Sequence, residues 1–257
     1  MEPIKYSISR QRKIPVDIII PFHGQYEKVA NLVNSIFIYT KNTSFQIYLV
    51  DDASPNEHFF EEFKKIDENP PAGCEPIVQV TRNKKQLGFG GALEVGFRAT
   101  KQPYVVFLNS DCLVETTTWL SNMLNTLLKL KNQNVKMVSS TMDNCSNSSL
   151  VNKRGEIKSD FILGEKEFLP LVSVICHREL FNHIGGFIKN YPFGWYEDEE
   201  LAFRMKKHGY KQGVSGSSWI KHFGELTLKE LWKNNPDSMK IMESNYNLCL
   251  KDIQSTS

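Results

Sequence analysis

The sequence predicts an α/β fold in which a mostly parallel sheet is covered by helices. In the first 108 residues, short apolar runs alternate with stretches whose apolar residues recur every three or four positions. The apolar runs are continuous, as in strands buried on both faces, and this alternation is typical of doubly wound parallel sheets. A chain of 257 residues is long enough for one large domain of this kind.

Four strands and three helices are predicted in the first half. The strands are predicted at 16–20, 45–50, 75–83 and 103–108. The helices are predicted at 29–37, around 59–66 and, opened by glycines, at 90–100. Ligands of such sheets bind in the crevice outside the carboxyl ends of the strands. The first half is therefore predicted to bind a nucleotide.

The second half is less regular. Helices are predicted at 116–131, at 197–209 and, after a start signal at Pro236, over the apolar positions from 239 to 253. Residues 171–187 are typical of a strand, a short helix and a glycine stop. Residues 139–168 are polar and poor in pattern, which predicts a mobile segment. The amphipathic last helix is expected to pack back on the domain.

Composition excludes some classes of partner. The formal net charge is only +2, so there is no electrostatic case for binding nucleic acid or an acidic membrane surface. No apolar run approaches the roughly 20 residues that a membrane helix needs, and the polar N-terminus does not resemble a signal peptide. The five cysteines have no metal-like spacing and are interpreted as reduced thiols. A cytoplasmic protein is expected, and peripheral association with a membrane stays open.

The stretch Asn109-Ser110-Asp111 ends the fourth predicted strand. Residues two apart on an extended strand point to the same side, so Asn109 and Asp111 can offer two oxygens to one cation. Mg²⁺ or Mn²⁺ would then take further oxygens from substrate phosphates. The alternative is a turn in which these residues cap the next helix, and the motif alone favours that alternative.

Two further stretches follow the second and third predicted strands. Asp51 and Asp52 can accept hydrogen bonds from a nucleobase or ribose, or can simply cap a turn. The run "GFGGALEVG" from Gly88 fits neither a dinucleotide motif nor a P-loop, but it brings a glycine-rich turn to a helix N-terminus suited to an anion. Arg82, in the preceding "TRNKK", can add a cation or lie in a solvated loop.

The run "WYEDEELAFR" contains four consecutive acids. Acids are favoured at a helix start, and Glu200 can pair with Arg204 at i,i+4. These effects leave Trp195 and Tyr196 unexplained, whereas a sugar site needs both a ring to stack on and a carboxylate. His222, in "WIKHFGE", follows a short predicted strand and is by itself more typical of a structural histidine than of a ligand.

Taken in order, these motifs resemble those of the family 2 glycosyltransferases, which have the GT-A fold. The resemblance rests on "DDAS", "GFGGALEVG", "FLNSD", "GGF", "WYEDEELAFR" and "KHFGE" and spans about residues 14–224. Within the family, "GFGG" followed by "FLNSD" is similar to the branch of rhamnosyltransferases and other O-antigen or surface-polysaccharide transferases. The sequence departs from the family pattern at Glu94, where Asn is common, and at Ile188-Lys189, where an acidic pair is common.

The resemblance implies a role for each motif. It implies donor-binding roles for Pro21, Asp51, Asp52, Asn109 and Asp111. Arg82, Gly88 and Ser110 are further predicted donor-binding residues. The resemblance also implies a Mn²⁺ or Mg²⁺ ion held by Asp111, with Asn109 and His222 in support. Asp198 matches the catalytic base, and Arg204 is interpreted as structural. Trp195, Tyr196 and Glu197 are the predicted acceptor-binding residues.

The predicted function is inverting transfer of a hexosyl or deoxyhexosyl group from a UDP-, dTDP- or GDP-linked donor to a glycan or lipid-linked glycan, in polysaccharide synthesis. An inactive module that binds glycans or nucleotide sugars stays open, and so does a sugar nucleotidyltransferase.

The resemblance implies a single GT-A domain over 14–225, a Rossmann-like mostly parallel sheet flanked by helices. It comprises a nucleotide-sugar half at 14–112 and an acceptor and catalytic half at 113–225. A helical extension is predicted at 226–257.

Overall fold

The structure is a computed structural model that describes residues 15–55, 63, 78–187, 191–192, 194–224 and 237–255. The predicted helix around 59–66, apart from Phe63, lies outside the described residues, as do Cys74, Ile188-Lys189 and the start signal at Pro236. Within the described residues the predicted α/β class is confirmed. A mixed sheet of nine strands is flanked by helices.

The strands are β1 (Pro15–Phe22), β2 (Ser44–Asp51), β3 (Val78–Arg82), β4 (Tyr104–Leu108), β5 (Cys112–Leu113), β6 (Val135–Met142), β7 (Phe161–Ile162), β8 (Ser173–His177) and β9 (Lys211–His222). The α-helices are α1 (Tyr26–Tyr39), α2 (Phe89–Ala99), α3 (Trp119–Leu130), α4 (Leu180–His183), α5 (Glu197–Lys207) and α6 (Ser238–Ser255). Short 3₁₀ turns cover Lys131–Gln133 and Ser148–Leu150.

The sheet order is β3-β2-β1-β4-β8-β6-β9-β5, with β7 added to β9. Strands β1, β2, β3, β4, β6 and β9 run in one direction, and β5, β7 and β8 run against them. The carboxyl ends of the six parallel strands therefore lie along one edge of the sheet. The amino end of β8 lies at the same edge because β8 is antiparallel to both of its neighbours.

The apolar runs form strands because both faces of the sheet are covered. Ile18, Ile19 and Ile20 of β1 are completely buried, and so is β4 from Val105 to Leu108. Helix α2 packs on β1 and β2, and its Gly96 is needed there because a Cβ at this position would clash with Ile19. Gly96 thus permits close packing of α2 on the sheet.

The prediction of a mobile segment at 139–168 is wrong at its beginning. Ser139, Ser140 and Thr141 are completely buried in β6. Their hydroxyls are satisfied inside the sheet: Ser140 Oγ donates to Ser173 Oγ at 2.8 Å, and Thr141 Oγ1 donates to the Ser218 carbonyl at 2.8 Å. Polar residues can occupy a buried strand when each hydroxyl has such a partner, and the hydropathy pattern then fails to indicate the strand.

Candidate functional site

The predicted site residues gather at the edge of the sheet where the parallel strands end. Asp51 ends β2, Arg82 ends β3, and His222 ends β9. Pro21 is buried near the end of β1 and pairs with Val50 of β2. The topology therefore brings together motifs that are as much as 200 residues apart in the chain.

Asp51 is completely buried and organises the side chain of Arg82. One carboxylate oxygen accepts a hydrogen bond from the Ser54 amide at 2.8 Å, and the other forms an ion pair with Arg82 Nη1. Arg82 Nη2 donates to the Ser54 carbonyl at 2.7 Å. The guanidinium is thereby held at the mouth of the crevice, where it remains partly exposed.

Asp52 fastens the loop between β3 and α2. Its carboxylate accepts hydrogen bonds from Asn83 Nδ2 at 2.8 Å, from the Leu87 amide at 2.8 Å and from the Gly88 amide at 2.9 Å. Gly88 has a φ of 80°, which favours glycine, and stands just before the first turn of α2. Asp52 Oδ1 accepts two of these bonds and Oδ2 only one, so Oδ2 has a lone pair that can still accept a hydrogen bond from a nucleotide.

Asn109, Ser110 and Asp111 form the turn between β4 and β5. The Asn109 amide donates to the Val172 carbonyl at 2.8 Å, which ties the turn to the segment before β8. The side-chain oxygen of Asn109 is buried and has no hydrogen-bond partner among the described residues. A buried acceptor left without a donor is costly unless a bound group satisfies it. The lack of a partner for this oxygen is therefore consistent with the predicted cation site, because a bound cation would satisfy it.

Strand pairing places Asp111 against His222. Cys112 pairs with His222 across β5 and β9, and the Phe223 amide donates to the Asp111 carbonyl at 3.0 Å. His222 Nε2 consequently lies 3.4 Å from Asp111 Oδ1. Both side chains are about nine-tenths buried, each with 10% of its surface exposed. The histidine that alone resembled a structural residue thus faces the predicted metal carboxylate.

The loop after β6 orients His222. His222 Nδ1 lies 2.7 Å from the Asn144 carbonyl, which can only accept, so Nδ1 carries the proton and Nε2 faces Asp111. The His222 amide donates to Asp143 Oδ1 at 2.9 Å. Burial lowers the pKa of His222, but the hydrogen bond and charge of Asp111, the Asn144 carbonyl and Asp143 together outweigh burial and raise it.

The donor set fits a divalent cation. Asp111 offers a carboxylate, and His222 offers the ring nitrogen Nε2. The other ring nitrogen of His222 donates to a carbonyl, as is usual for a histidine that binds a metal. No group of three His, Cys, Asp or Glu side chains suited to a metal occurs among the residues described. A bound ion would therefore need additional oxygens, from Asn109 or from substrate phosphates, and this is the mode of binding that Mg²⁺ favours.

An unusual turn precedes α5. Gly194, Trp195 and Tyr196 have φ values of 94°, 71° and 75°. Consecutive bulky residues with positive φ are strained, and such strain is concentrated at functional sites. Both aromatic side chains are partly exposed, so the turn presents rings beside the acids that follow.

The two acids after this turn have strongly raised pKa values. Burial, the neighbouring Asp198 charge and the Glu199 charge raise the pKa of Glu197 to about 8. Glu197 Oε1 is buried and has no hydrogen-bond partner within the described part of the chain. Burial and Glu199 raise the pKa of Asp198 to about 7, against an opposing hydrogen bond from the Leu171 amide. A carboxyl with this pKa is suited to proton transfer near neutral pH.

Arg204 belongs to the structure around the site. It is 5% exposed, forms a two-pronged ion pair with Glu200 at 2.7 and 2.9 Å, and donates to the carbonyls of Ile184, Gly186 and Phe187. Glu94 is partly exposed and pairs with Arg98 at 2.6 Å.

The sequence reasoning missed Asp143, Asn144 and Leu171. Asp143 and Asn144 follow the end of β6 just as Asp52 follows β2, so the signal of polar residues after a strand was present. It went unused because β6 was not recognised as a strand. Leu171 acts through its backbone amide, and no side-chain pattern indicates such a role.

A family model described as "Glycosyl transferase family 2" matches residues 17–182. A search of curated proteins finds no significant match. Within the described chain, no helix is both long and apolar enough to cross a membrane.

Several solved structures have similar folds. GalNAc-T7 with UDP, GalNAc and Mn²⁺ is 15% identical, with a TM-score of 0.60 over 82% of this chain and 44% of that one. The mannosyltransferase PcManGT from Pyrobaculum calidifontis, in complex with GDP-Man and Mn²⁺, is 16% identical, with a TM-score of 0.60 over 86% of this chain and 60% of that one. S. aureus TarS with UDP-GlcNAc is 13% identical, with a TM-score of 0.57 over 80% of this chain and 57% of that one. The chain thus spans 44–60% of their lengths, and the likeness establishes the GT-A fold.

Proposed function

We propose, since this chain belongs to glycosyl transferase family 2, that it transfers a sugar from a nucleoside-diphosphate donor to a hydroxyl group of a glycan or similar acceptor. One observation carries the proposal: a base candidate and a metal-site candidate are joined through one short segment. The backbone of Leu171 interacts with the Asp198 carboxyl and lowers its pKa against the effect of burial, and the carbonyl of the next residue, Val172, accepts a hydrogen bond from the Asn109 amide at 2.8 Å. Adjacent residues thus contact the candidate base and the candidate diphosphate site. Glycosyl transfer requires a proton acceptor and a diphosphate site close to each other.

The donor is proposed to lie along the edge from β1 to β4. Pro21, Asp51 and Asp52 would surround the nucleobase and ribose, and Arg82 and the Gly88 turn would face the phosphates. The supporting observation is that the Arg82 guanidinium is fixed by Asp51, because a pre-oriented fork binds phosphate with less loss of side-chain entropy.

Asp111 and His222 would hold Mn²⁺ or Mg²⁺, with Asn109 and Ser110 close to the diphosphate. When bound, the cation supplies Lewis-acid stabilisation of the charge that develops on the departing phosphate oxygens. The contribution of the chain is to fix the ligands: the Asn144 carbonyl sets the His222 tautomer, and the pairing of β5 with β9 sets the separation from Asp111.

Asp198 is the proposed general base. Its carboxylate would remove the proton from the acceptor hydroxyl as that oxygen attacks the anomeric carbon on the face opposite the diphosphate. Glu197 is protonated at neutral pH, so it would donate a hydrogen bond to the acceptor and would not compete as a nucleophile. A single ionised base without a carboxylate nucleophile supports inversion, by analogy with inverting glycosidases. Trp195 and Tyr196 would stack against the acceptor sugar.

The pathway, the donor class and the acceptor are proposed from the sequence motifs. The order "GFGG" then "FLNSD" supports a role in surface-polysaccharide synthesis with a UDP-, dTDP- or GDP-linked hexose or deoxyhexose. A glycan or lipid-linked glycan is the proposed acceptor, reached from the cytoplasmic side, in solution or at the membrane surface.

The test is a panel of UDP-, dTDP- and GDP-sugars assayed for release of nucleoside diphosphate with Mn²⁺, with Mg²⁺ and with EDTA. We expect turnover of one nucleotide class, lost in EDTA and in Asp111→Asn. Asp237→Asn, in an exposed ion pair with Lys240, is the matched control and should behave as wild type. Binding of a donor without turnover, even with candidate acceptors, would favour a binding module. Binding of none would contradict the proposal.

A further inference from the structure

The C-terminal helix α6 contacts the strained turn before the candidate base. Asn245 of this helix is 2% exposed, and its side-chain amide donates to two carbonyls, those of Pro192 at 2.8 Å and Gly194 at 2.7 Å. Both amide hydrogens are therefore used to hold one short segment of backbone.

The same helix also contacts the two ends of this segment. At its start, the hydroxyl of the fully buried Tyr191 donates to Asp252 Oδ2 at 3.0 Å. At its end, Cys249 Sγ lies 4.0 Å from the Tyr196 carbonyl, and the rings of Tyr196 and Tyr246 are 5.5 Å apart. The contacts repeat along one face of α6, so the helix follows the described part of the segment from 191 to 196.

The turn depends on outside support because its backbone is unfavourable. Gly194, Trp195 and Tyr196 all have positive φ values, and such conformations persist only where the surroundings over-determine them. Helix α5 begins immediately afterwards, and its N-terminus has no side-chain cap. The geometry of the turn thus sets where Glu197 and Asp198 point.

We propose that Asn245 is a positioning residue for the acceptor side of the site: by holding the Pro192 and Gly194 carbonyls, it fixes the turn that orients the Asp198 carboxylate. Asn245 acts through the backbone and touches neither substrate nor reacting atoms. The consequence for catalysis rests on the proposed function, whereas the consequence for the turn does not.

Asn245→Asp keeps the size of the side chain but faces two carbonyl oxygens with a carboxylate. The lost donors should loosen the turn and move the base away from its working position. A misplacement of about 1 Å can cost about 10²-fold in rate, so kcat for transfer should fall by about that factor. The donor KM should stay within about twofold, because the donor-binding residues lie at the ends of β1 to β4. Asn245→Ala, which leaves room for water, should lose less.

The matched control is Asn247→Asp, the same chemical change at an exposed position of the same helix. The first readout is the split between kcat and donor KM, with thermal unfolding to confirm that each variant is folded. The second is amide hydrogen exchange at Gly194 and Glu200, whose amides donate to the Tyr191 and Tyr196 carbonyls at 3.0 Å. We expect about tenfold faster exchange in Asn245→Asp and no change in Asn247→Asp.

Each outcome decides one question. Faster exchange with a lower kcat and an unchanged donor KM supports the proposal. Faster exchange with an unchanged kcat overturns the positioning role, and unchanged exchange overturns the claim that Asn245 holds the turn. A wild type without turnover or donor binding defeats the proposed function instead, and the exchange measurement still decides whether α6 fixes the turn.

Discussion

Four consecutive acids at the start of α5 occupy four different environments. Glu197 is buried without a partner for one oxygen, and its pKa is about 8. Asp198 has a pKa of about 7, and burial also raises the pKa of Glu199. Glu200 forms a buried ion pair with Arg204. The sequence suggested Asp198 through motif resemblance, but the environments depend on packing by residues distant in sequence. The distinct environments of the four acids could therefore not be predicted from the sequence.

Asp198→Asn should remove general-base catalysis and leave donor binding intact. The amide keeps the shape of the side chain but cannot take a proton, so kcat for transfer should fall by about 10²–10⁴-fold. The measurements are the steady-state transfer rate and donor affinity by calorimetry in the presence of Mn²⁺. A variant with full turnover would exclude Asp198 as the base, and one that had lost donor binding would assign it to the donor site.

The transfer rate should depend on pH through Asp198. Only the ionised carboxylate can accept a proton, so kcat should fall about tenfold per pH unit below a midpoint near 7, the raised pKa of this group. Protonation of His222 would weaken metal binding and so raise the donor KM. The measurement at saturating concentrations of donor and metal separates that effect from protonation of Asp198, which lowers kcat. A midpoint near 4 would contradict the raised pKa or the assigned role.

The same shift predicts an effect on stability. The pKa of Asp198 is higher in the folded chain than in the unfolded chain, so the folded state binds more protons between about pH 4 and 7. The contribution of the Asp198 carboxyl to the free energy of unfolding is therefore lost as pH rises from about 4 to 7. Asp198→Asn should unfold at a higher temperature than wild type at pH 8, by a few degrees, and the difference should shrink at pH 5. Equal shifts at both pH values would show that burial does not raise this pKa.

The elements of the first half follow from the sequence more closely than those of the second. Strands β1, β2 and β4 are apolar runs buried on both faces, and their positions match prediction within a few residues. Strand β9 was expected only as a short strand before His222 because its centre is Gly, Ser and Ser, and β6 was missed for a similar reason. Ser215 and Ser218 are fully buried there and bond Thr126 and the Trp119 carbonyl, contacts that depend on α3 lying against the sheet.

Helix α5 is tied to the loop after α4 by Arg204. The Arg204 guanidinium pairs with Glu200 and donates hydrogen bonds to the carbonyls of Ile184, Gly186 and Phe187. Arg204→Ala leaves a buried carboxylate and three carbonyls without this partner and should lower the free energy of unfolding by about 3–5 kcal/mol. Urea denaturation measures the change.

The chain offers a matched control for this ion pair. Arg98→Ala breaks another i,i+4 pair, with Glu94, but Arg98 is 77% exposed, and such exposed pairs contribute about 0–1 kcal/mol. If the two variants were equally stable, Arg204 would not be the buried tie that its contacts indicate.

At the scale of the molecule, one sheet edge collects contributions from both halves of the chain. The proposed donor-binding groups lie at or just after the ends of β1 to β4, whereas His222 lies on β9, the partner of β5. Metal binding at Asp111 and His222 would therefore connect the two halves across the sheet. Motif order alone predicted that these residues act together, but the antiparallel course of β8 and the pairing of β9 with β5 were not visible in the sequence.

A nucleoside diphosphate and Mn²⁺ should consequently stabilise the whole domain together. The diphosphate would supply further oxygens to the metal and the metal would balance the charge of the diphosphate, so each should raise the affinity of the other. At a ligand concentration of about 100 times the dissociation constant, binding of the pair should raise the free energy of unfolding by about 2.7 kcal/mol. At about 2–4 °C per kcal/mol, the unfolding temperature should rise by about 5–10 °C. Either component alone should give a smaller shift, and EDTA should reduce the shift with diphosphate to that of diphosphate alone.

Asp111→Asn should remove the metal-dependent part of this stabilisation, because the amide lacks the charge that balances the cation. The nucleoside should still bind through the β1 to β3 edge and give the same small shift with or without Mn²⁺. Asp237→Asn, at the exposed start of α6, should retain the full effect. A full shift in Asp111→Asn, or one unaffected by EDTA in wild type, would place the cation elsewhere. The orphaned oxygen of Asn109 would then need another ligand.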